Sequence, residues 1–267
     1  MPESAPDPRL YASRLRALAR GIPQASEERS FCLLPGRVES RRFVLGIPPA
    51  GWAFLPLASL REHLDMPGTL QQEFLAQLDR ADMLGLGFEQ DESACTLTAL
   101  LEFPLSPGLG HGTEDGDAAS ILMGRGYRWQ PGGLGDMAES GYQWWPELDA
   151  RAIARRIKAL LGTATALQAG ALSIISEALQ CSNPLDWAYV EVTRDNGAPT
   201  AFDLDISAAE LSLDLIRPRL ETLVARFGIP PADLAAVLDT TGAQALHRIA
   251  AGLDERERPF LTVHYES

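Results

Sequence analysis

Leu84–Phe103 reads LGLGFEQDESACTLTALLEF, and Ala250–Ser267 reads AAGLDERERPFLTVHYES. Each opens as a small apolar run that contains glycine and ends at Gly87-Phe88 or Gly252-Leu253. Each then turns through a charged loop (EQDES or DERER) and returns with alternating apolar and polar residues. Alternation with a period of two marks a strand, so each stretch reads as strand, turn, strand. The same unit stands at the middle of the chain and again at its end.

Working outward, three more paired runs carry the pattern. ERSFCLLPG precedes RVESRRFVLGI, and ILMGRGYRW is joined to SGYQWWPEL by the glycine-rich QPGGLGDMAE. In DWAYVEVTRDNGAPTAFDLDI, Asp195-Asn196-Gly197 is a turn signal between two alternating strands. Helical periodicity fills the intervals. Pro8–Gly21 sets Leu10, Leu15 and Leu18 on one side with Gly21 as a stop. Leu60–Arg80 breaks at Met66-Pro67-Gly68, with Thr69 as candidate N-cap of its second half. Leu148–Gly162, Thr163–Leu179, Leu211–Phe227 and Pro231–Leu238 are further helices. Pro104–Ala118 (PLSPGLGHGTEDGDA) reads as a loop, too short for a linker between domains.

Five antiparallel hairpins with helices between them predict an α+β fold. Its form is a closed antiparallel ten-stranded β-barrel built from helix-flanked hairpins, helices outside, in a single domain spanning 1–267. Closure removes exposed sheet edges, and each helix buries its apolar stripe on the barrel exterior.

Composition bounds the function. The 267 residues are 46% hydrophobic and 22% charged, the balance of an ordinary globular protein. No apolar run approaches the ~20 residues of a membrane span, and MPESAPDPRL has no signal-peptide core, so a cytoplasmic location is expected. A net charge of −13 argues against a nucleic-acid partner. Lys158 is the sole lysine, so an anionic ligand must be held by arginines, whose planar guanidinium makes bidentate contacts to phosphate. Cys32, Cys95 and Cys181 are far apart without CxxC spacing and read as reduced thiols in packed positions.

The strand faces suggest a chamber. Phe43, Leu45 and Ile47 alternate with Arg42, Val44 and Gly46; Leu97, Ala99, Leu101 and Phe103 with Thr96, Thr98, Leu100 and Glu102. Ala188, Val190 and Val192 alternate with Trp187, Tyr189, Glu191 and Thr193, and Phe202, Leu204 and Ile206 with Asp203 and Asp205. The purely apolar face should meet the helices and the mixed face should line the lumen. An open sheet wetted on one face gives the same alternation. Trp129, Trp144, Trp145, Trp187 and Tyr189 favour the chamber, because large aromatics are unexpected on a plain solvent face.

On ERSFCLLPGRVESRRF, LQQEFLAQLDRADMLGLGFEQDESACTLTALLEF, ILMGRGYRWQPGG and the final hairpin, the sequence resembles the ABBA, or PT-barrel, prenyltransferases. Within them it is most similar to the peptide prenyltransferases of the cyanobactin type. The resemblance implies transfer of a dimethylallyl or geranyl group from its diphosphate, with Mg2+, to a side chain of a peptide substrate. By the same resemblance Glu28 is the catalytic carboxylate and Arg42 binds the diphosphate, with Arg125, Arg128 and Arg248 as further diphosphate candidates. Tyr127, Trp129, Trp187, Tyr189 and Tyr265 are candidate cation shields or pocket walls. Where the family carries lysine or arginine on the second and last hairpins, this chain has Thr96, Thr98 and Glu102, and Thr262, His264 and Glu266.

Glu102, Glu191, Asp203, Asp205 and Glu266 form an expected excess of inward acids, suited to a cationic acceptor, to proton uptake, or to Mg2+. The bland alternatives are solvated acids at the barrel mouth, surface arginines, and aromatics that pack in the core. Two other function classes stay open. One is a barrel that binds a peptide or hydrophobic ligand without turnover. The other is a hydrolase built on His264 with Asp203 or Glu266, although no GxSxG motif is present. His63, His111, His247 and His264 lack metal-ligand spacing.

Overall fold

In the computed structural model the opening unit forms the hairpin its alternation predicts. Strands β3 (Met83–Gln90) and β4 (Cys95–Glu102) pair antiparallel, with Met83 opposite Glu102 and Gln90 opposite Cys95. The terminal unit gives β9 (Leu246–Leu253) and β10 (Pro259–Glu266), with Pro259 opposite Leu253. The other hairpins are β1 (Ser26–Leu34) with β2 (Arg37–Ile47), β5 (Ile121–Trp129) with β6 (Ala138–Trp145), and β7 (Ala188–Thr193) with β8 (Pro199–Asp205). The strands join in the order β1-β10-β9-β8-β7-β6-β5-β4-β3-β2 and close into a barrel. The structure describes residues 7–55, 57, 60–91, 94–104, 120–132, 137–194 and 197–266. Asp195-Asn196, most of the 104–118 loop including His111, and part of QPGGLGDMAE lie outside the described residues.

Eight α-helices are described: α1 (Pro8–Ala19), α2 (Pro49–Trp52), α3 (Leu60–Leu64), α4 (Gly68–Leu78), α5 (Ala150–Leu161), α6 (Thr165–Ala178), α7 (Leu213–Phe227) and α8 (Pro231–Thr241). Their ends follow from local chemistry. The Asp149 carboxylate accepts from the Ala152 amide at 2.7 Å and starts α5, and Gly228, at φ +65°, ends α7 in the left-handed conformation that glycine adopts without strain. Helix α4 starts at Gly68 with Pro67 in the N-cap position and no side-chain cap, two residues ahead of the expected cap Thr69. No described helix is long and apolar enough to cross a membrane.

The chain divides into two compact units, each with its own apolar core. The first comprises Met1–Glu28, Arg41–Ser106 and Leu122–Tyr142; the second comprises Arg29–Ser40, Pro107–Ile121 and Gln143–Ser267. In the first, Phe43, Leu45, Leu86, Phe88, Leu97, Ala99 and Leu101 pack with Tyr11 and Leu15 of α1, Leu60 and Leu64 of α3, and Phe74 of α4. In the second, Phe202, Leu204, Ile249, Leu261 and Val263 pack with Ile153 and Ile157 of α5, Ile174 of α6, and Leu220 and Leu223 of α7. Each such fully buried side chain contributes about 1.5–3 kcal/mol. In a closed barrel one face of every strand turns inward. The apolar faces carry the helices, so the opposite faces are the inner ones.

Candidate active site

In the first unit the inner face is built on a carboxylate shared by two arginines. Arg42 of β2 lies opposite Glu89 of β3, Glu89 lies opposite Thr96 of β4, and Thr98 lies opposite Arg128 of β5. The Glu89 Oε1 accepts from Arg42 Nη2 at 2.7 Å, and its Oε2 accepts from Arg128 Nη2 at 3.0 Å. One carboxylate thus draws two guanidinium groups together across three strand pairings. All three side chains are partly accessible, with exposures of 14% for Arg42, 28% for Glu89 and 39% for Arg128.

The floor beside this trio is kept low by glycine. Gly85 and Gly87 alternate with Leu86 and Phe88 and fall on the inner face, where a Cβ on either would press on Leu100 at 3.2 Å or Thr98 at 3.3 Å. A Cβ on Gly126 would stand 3.1 Å from the ring of Tyr142, so the Tyr142 ring lies over the inner face of β5. Glu28 belongs to the same inner surface. The Ser26 hydroxyl lies 2.7 Å from where a Gly46 Cβ would fall, which puts Ser26 on the inner face. Glu28, two residues on, therefore shares the face of Gly46, Val44 and Arg42.

Period two separates the remaining first-unit candidates from this surface. Trp129, Tyr127 and Arg125 lie opposite Leu97, Ala99 and Leu101, on the helix side, and not on the inner face expected of a cation shield or a diphosphate ligand. The Trp129 indole donates to the Leu64 carbonyl at 2.9 Å, Tyr127 meets the Phe74 ring edge-on, and Arg125 faces Glu139 at 3.8 Å. The small Ala99 makes room for the Tyr127 ring beneath α4. Arg125 and Tyr127 help line an outer cavity of about 340 Å3 with Glu73, Ala76, Gln77 and Glu139.

In the second unit the inner face carries Arg248, Asp203, Thr262 and His264. Arg248 Nη1 lies 3.3 Å from Asp203 Oδ2, and His264 stands opposite Arg248 in the β9–β10 register. Five candidates fall elsewhere. On β7 the expected faces are exchanged: Tyr189 and Glu191 lie opposite Leu204 and Phe202, on the helix side, and Ala188 and Val190 lie opposite Asp205 and Asp203. Burying the large rings is what decides it. Tyr189 stacks on Phe202 with centroids 5.9 Å apart, and Trp187 is buried with its indole donating to the Ser182 hydroxyl at 2.8 Å. The acid that follows them under the helices is neutralised there. Glu191 takes two hydrogen bonds from Arg156 of α5, at 2.8 and 3.0 Å, and one from the Tyr189 hydroxyl at 3.2 Å. Arg156 in turn stacks over the Trp145 ring. Burial, with the Glu191 charge beside it, pushes the Tyr189 phenol far above its ordinary value.

The last two candidates do not join His264: alternation along β10 sets Tyr265 on the helix side with Leu261 and Val263, and the irregularity beside it falls at His247 of β9. Tyr265 pairs with Leu246 and packs on Phe31, with centroids 6.3 Å apart, in the helix-side core. Glu266 is exposed and lies 4.0 Å from His247 Nε2, so it does not join His264. Asp205 accepts from the Ser207 amide at 2.9 Å and from its hydroxyl at 2.7 Å, and so caps the turn that follows β8. Among the described residues the magnesium ion implied by the resemblance finds no cage of side chains. Among the described residues no group of three or more His, Cys, Asp or Glu is placed to hold a metal, and Glu89 and Asp203 are engaged by arginines. These residues do not fit a magnesium held by the protein's own carboxylates.

Three residues that shape the two units were not singled out from sequence: Glu89, Tyr142 and Arg156. Strand pairing of RRF with GFEQ exposes Glu89, and the bare Gly126 exposes Tyr142. Nothing local marks Arg156, one of several arginines on α5.

Several solved structures share this architecture. A 6-dimethylallyltryptophan synthase from Micromonospora olivasterospora, in complex with DMASPP and Trp, superposes with a TM-score of 0.61 over 92% of this chain and 83% of that one, at 12% identity. The fold is that of the PT-barrel prenyltransferases. The prenyltransferase PriB, in a ternary complex with L-tryptophan and dimethylallyl thiolodiphosphate, matches at 0.60 with 12% identity, over 91% of this chain and 80% of that one. NotF in complex with brevianamide F and DMSPP matches at 0.55 with 13% identity, over 91% and 80%. No protein-family model and no curated protein matches the sequence.

Proposed function

We propose that this PT barrel transfers a prenyl group from an allylic diphosphate of the dimethylallyl class to an electron-rich ring, such as an indole, borne by a peptide. The observation that carries the reading is the convergence of Arg42 and Arg128 on one inner-face position, with Glu28 on the same surface and the Tyr142 ring over Gly126. Two guanidiniums suit an anion with several oxygens better than any single cation does. The peptide acceptor comes from the resemblance of the sequence to peptide prenyltransferases. Tryptophan and brevianamide F in the related complexes support the aromatic class.

The chemistry assigns each group one task. The C1–O bond of the allylic diphosphate breaks, and its electron pair leaves with the diphosphate, whose growing charge the two guanidiniums stabilise. The face of Tyr142 shields the allylic cation from water. The acceptor ring attacks the cation through carbon, and the proton it then carries leaves to the Glu28 carboxylate. Incubation with dimethylallyl diphosphate and either free tryptophan or a tryptophan-containing peptide tests the reading by mass spectrometry. A C5H8 gain on the peptide, lost in Arg42→Ala, is the expected result. A gain on tryptophan alone refutes the peptide acceptor, and no gain on either substrate refutes the transferase.

A second reading has its own support. The inner arginines Arg42, Arg128 and Arg248 each already face a carboxylate, as expected of a barrel that binds a ligand without turnover. In that case the diphosphate leaves the mixture unconsumed.

A further inference from the structure

Glu89 is more than a neighbour of the arginines. Its two oxygens are divided between them, one to Arg42 at 2.7 Å and one to Arg128 at 3.0 Å. The guanidiniums come from β2 and β5, and it is the carboxylate on β3 that holds them on one point. The next inner-face position on β3 is Gly87, so no side chain stands beside the carboxylate along its own strand. A ligand that needs the Nη2 groups of both arginines must take the place this carboxylate occupies.

We propose that Glu89 is the resident counter-anion of the Arg42–Arg128 pair, and that it sets the charge an incoming anion must carry. Glu89 cancels about one of the two guanidinium charges. A monoanion offers the arginines no more than the carboxylate already does. A diphosphate offers more charge and more acceptor oxygens, and displaces it. The proposal rests on the diphosphate-binding reading of the same site and adds a specificity-determining residue to it. Because the ligand-ready state is only the fraction in which the carboxylate has swung away, affinity is lowered by that fraction.

Calorimetric titration of the full chain with inorganic pyrophosphate, and in parallel with inorganic phosphate, tests this on wild type, Glu89→Gln and Arg42→Ala, with a thermal melt to establish folding. Glu89→Gln is expected to bind pyrophosphate about tenfold more tightly, since a neutral amide no longer competes. It should also bind phosphate more tightly than wild type does, and Arg42→Ala should lose both. A folded Glu89→Gln that binds pyrophosphate as wild type does, or more weakly, overturns the proposal, because Glu89 then merely orients the arginines. The absence of pyrophosphate binding in every variant overturns it as well. Should Glu89→Gln not fold, Glu89→Asp takes its place: one methylene short of bridging both arginines, it is expected to tighten binding, and weakening overturns the proposal. The two readings fail separately. Pyrophosphate binding tightened by Glu89→Gln without prenyl transfer sinks only the transferase, and prenyl transfer with an unaltered Glu89→Gln titration sinks only the counter-anion.

Discussion

The two units use a glutamate beside arginine in opposite ways. In the second, Glu191 is sealed under the helices at 9% side-chain exposure, with both oxygens on Arg156 and a third hydrogen bond from Tyr189. In the first, Glu89 stays 28% exposed on the inner face and gives one oxygen to each of two arginines. A buried carboxylate cannot exchange its partners, because losing one strands a charge away from water. An accessible carboxylate can exchange them, because solvent or a ligand takes over. The ion pair of the second unit therefore belongs to the architecture, and that of the first is open to the proposed ligand.

Mutation separates the two roles, and the largest effect falls on the sealed pair. Arg156→Ala leaves Glu191 uncompensated and is expected to lower stability by about 3–5 kcal/mol in urea denaturation. Arg42→Ala should cost about 1 kcal/mol or less by the same measurement while removing anion binding. Equal losses of stability would erase the distinction between the units.

High pH sharpens the contrast from another side. Burial holds the phenols of Tyr189, Tyr11, Tyr127 and Tyr265 above their ordinary 10.0, with the Asp65 hydrogen bond adding to the effect at Tyr11. The folded state therefore keeps protons that the unfolded chain loses. Their contribution is fully present below pH ~10 and falls as the pH rises further, by about 1.4 kcal/mol per pH unit for each phenol that stays protonated. Tyr189→Phe should flatten that decline, and an unchanged slope would contradict the sealed environment of Glu191.

Smaller still is Gly126→Ala, whose methyl would stand 3.1 Å from the Tyr142 ring. A loss of about 1 kcal/mol is expected, together with a change in prenyl diphosphate affinity that the same substitution at the open Gly197 would not cause. The smallest effect concerns neither site. A thiol reagent at pH 8 should label Cys181, which is exposed, and spare Cys32 and Cys95, which are buried; burial also raises the Cys95 thiol to about 11.

The barrel was legible because the hairpins alternate over most of their length and their turns carry charge or glycine. The faces were legible where one side is purely apolar, as in Phe43, Leu45 and Ile47, and illegible where both sides can be buried. On β7 the choice lay between Ala188 and Val190 and the larger Trp187, Tyr189 and Glu191. The helices took the rings because α5 supplies Arg156, a partner 35 residues away in sequence. On β5 the spacing alone keeps Arg125 and Arg128 on opposite faces, so only Arg128 reaches the inner surface. Alternation in FLTVHYE groups Tyr265 with Leu261 and Val263, whereas the irregularity at His247 that returns Leu246 to their face leaves no mark in ALHRIA. The register of β2 on β3, by contrast, would have placed Glu89 against Arg42 from the sequence.

The proposed hold of the inner arginines of the first unit on an allylic diphosphate is open to a direct binding experiment. Calorimetric titration with dimethylallyl thiolodiphosphate tests it most directly, on wild type, Arg42→Ala and Arg128→Ala, each checked for folding. Saturable binding to wild type, weakened at least about tenfold by each substitution through the loss of one charge-assisted contact, is the expected result. Binding that survives both substitutions, or no binding to the wild-type protein, would contradict it.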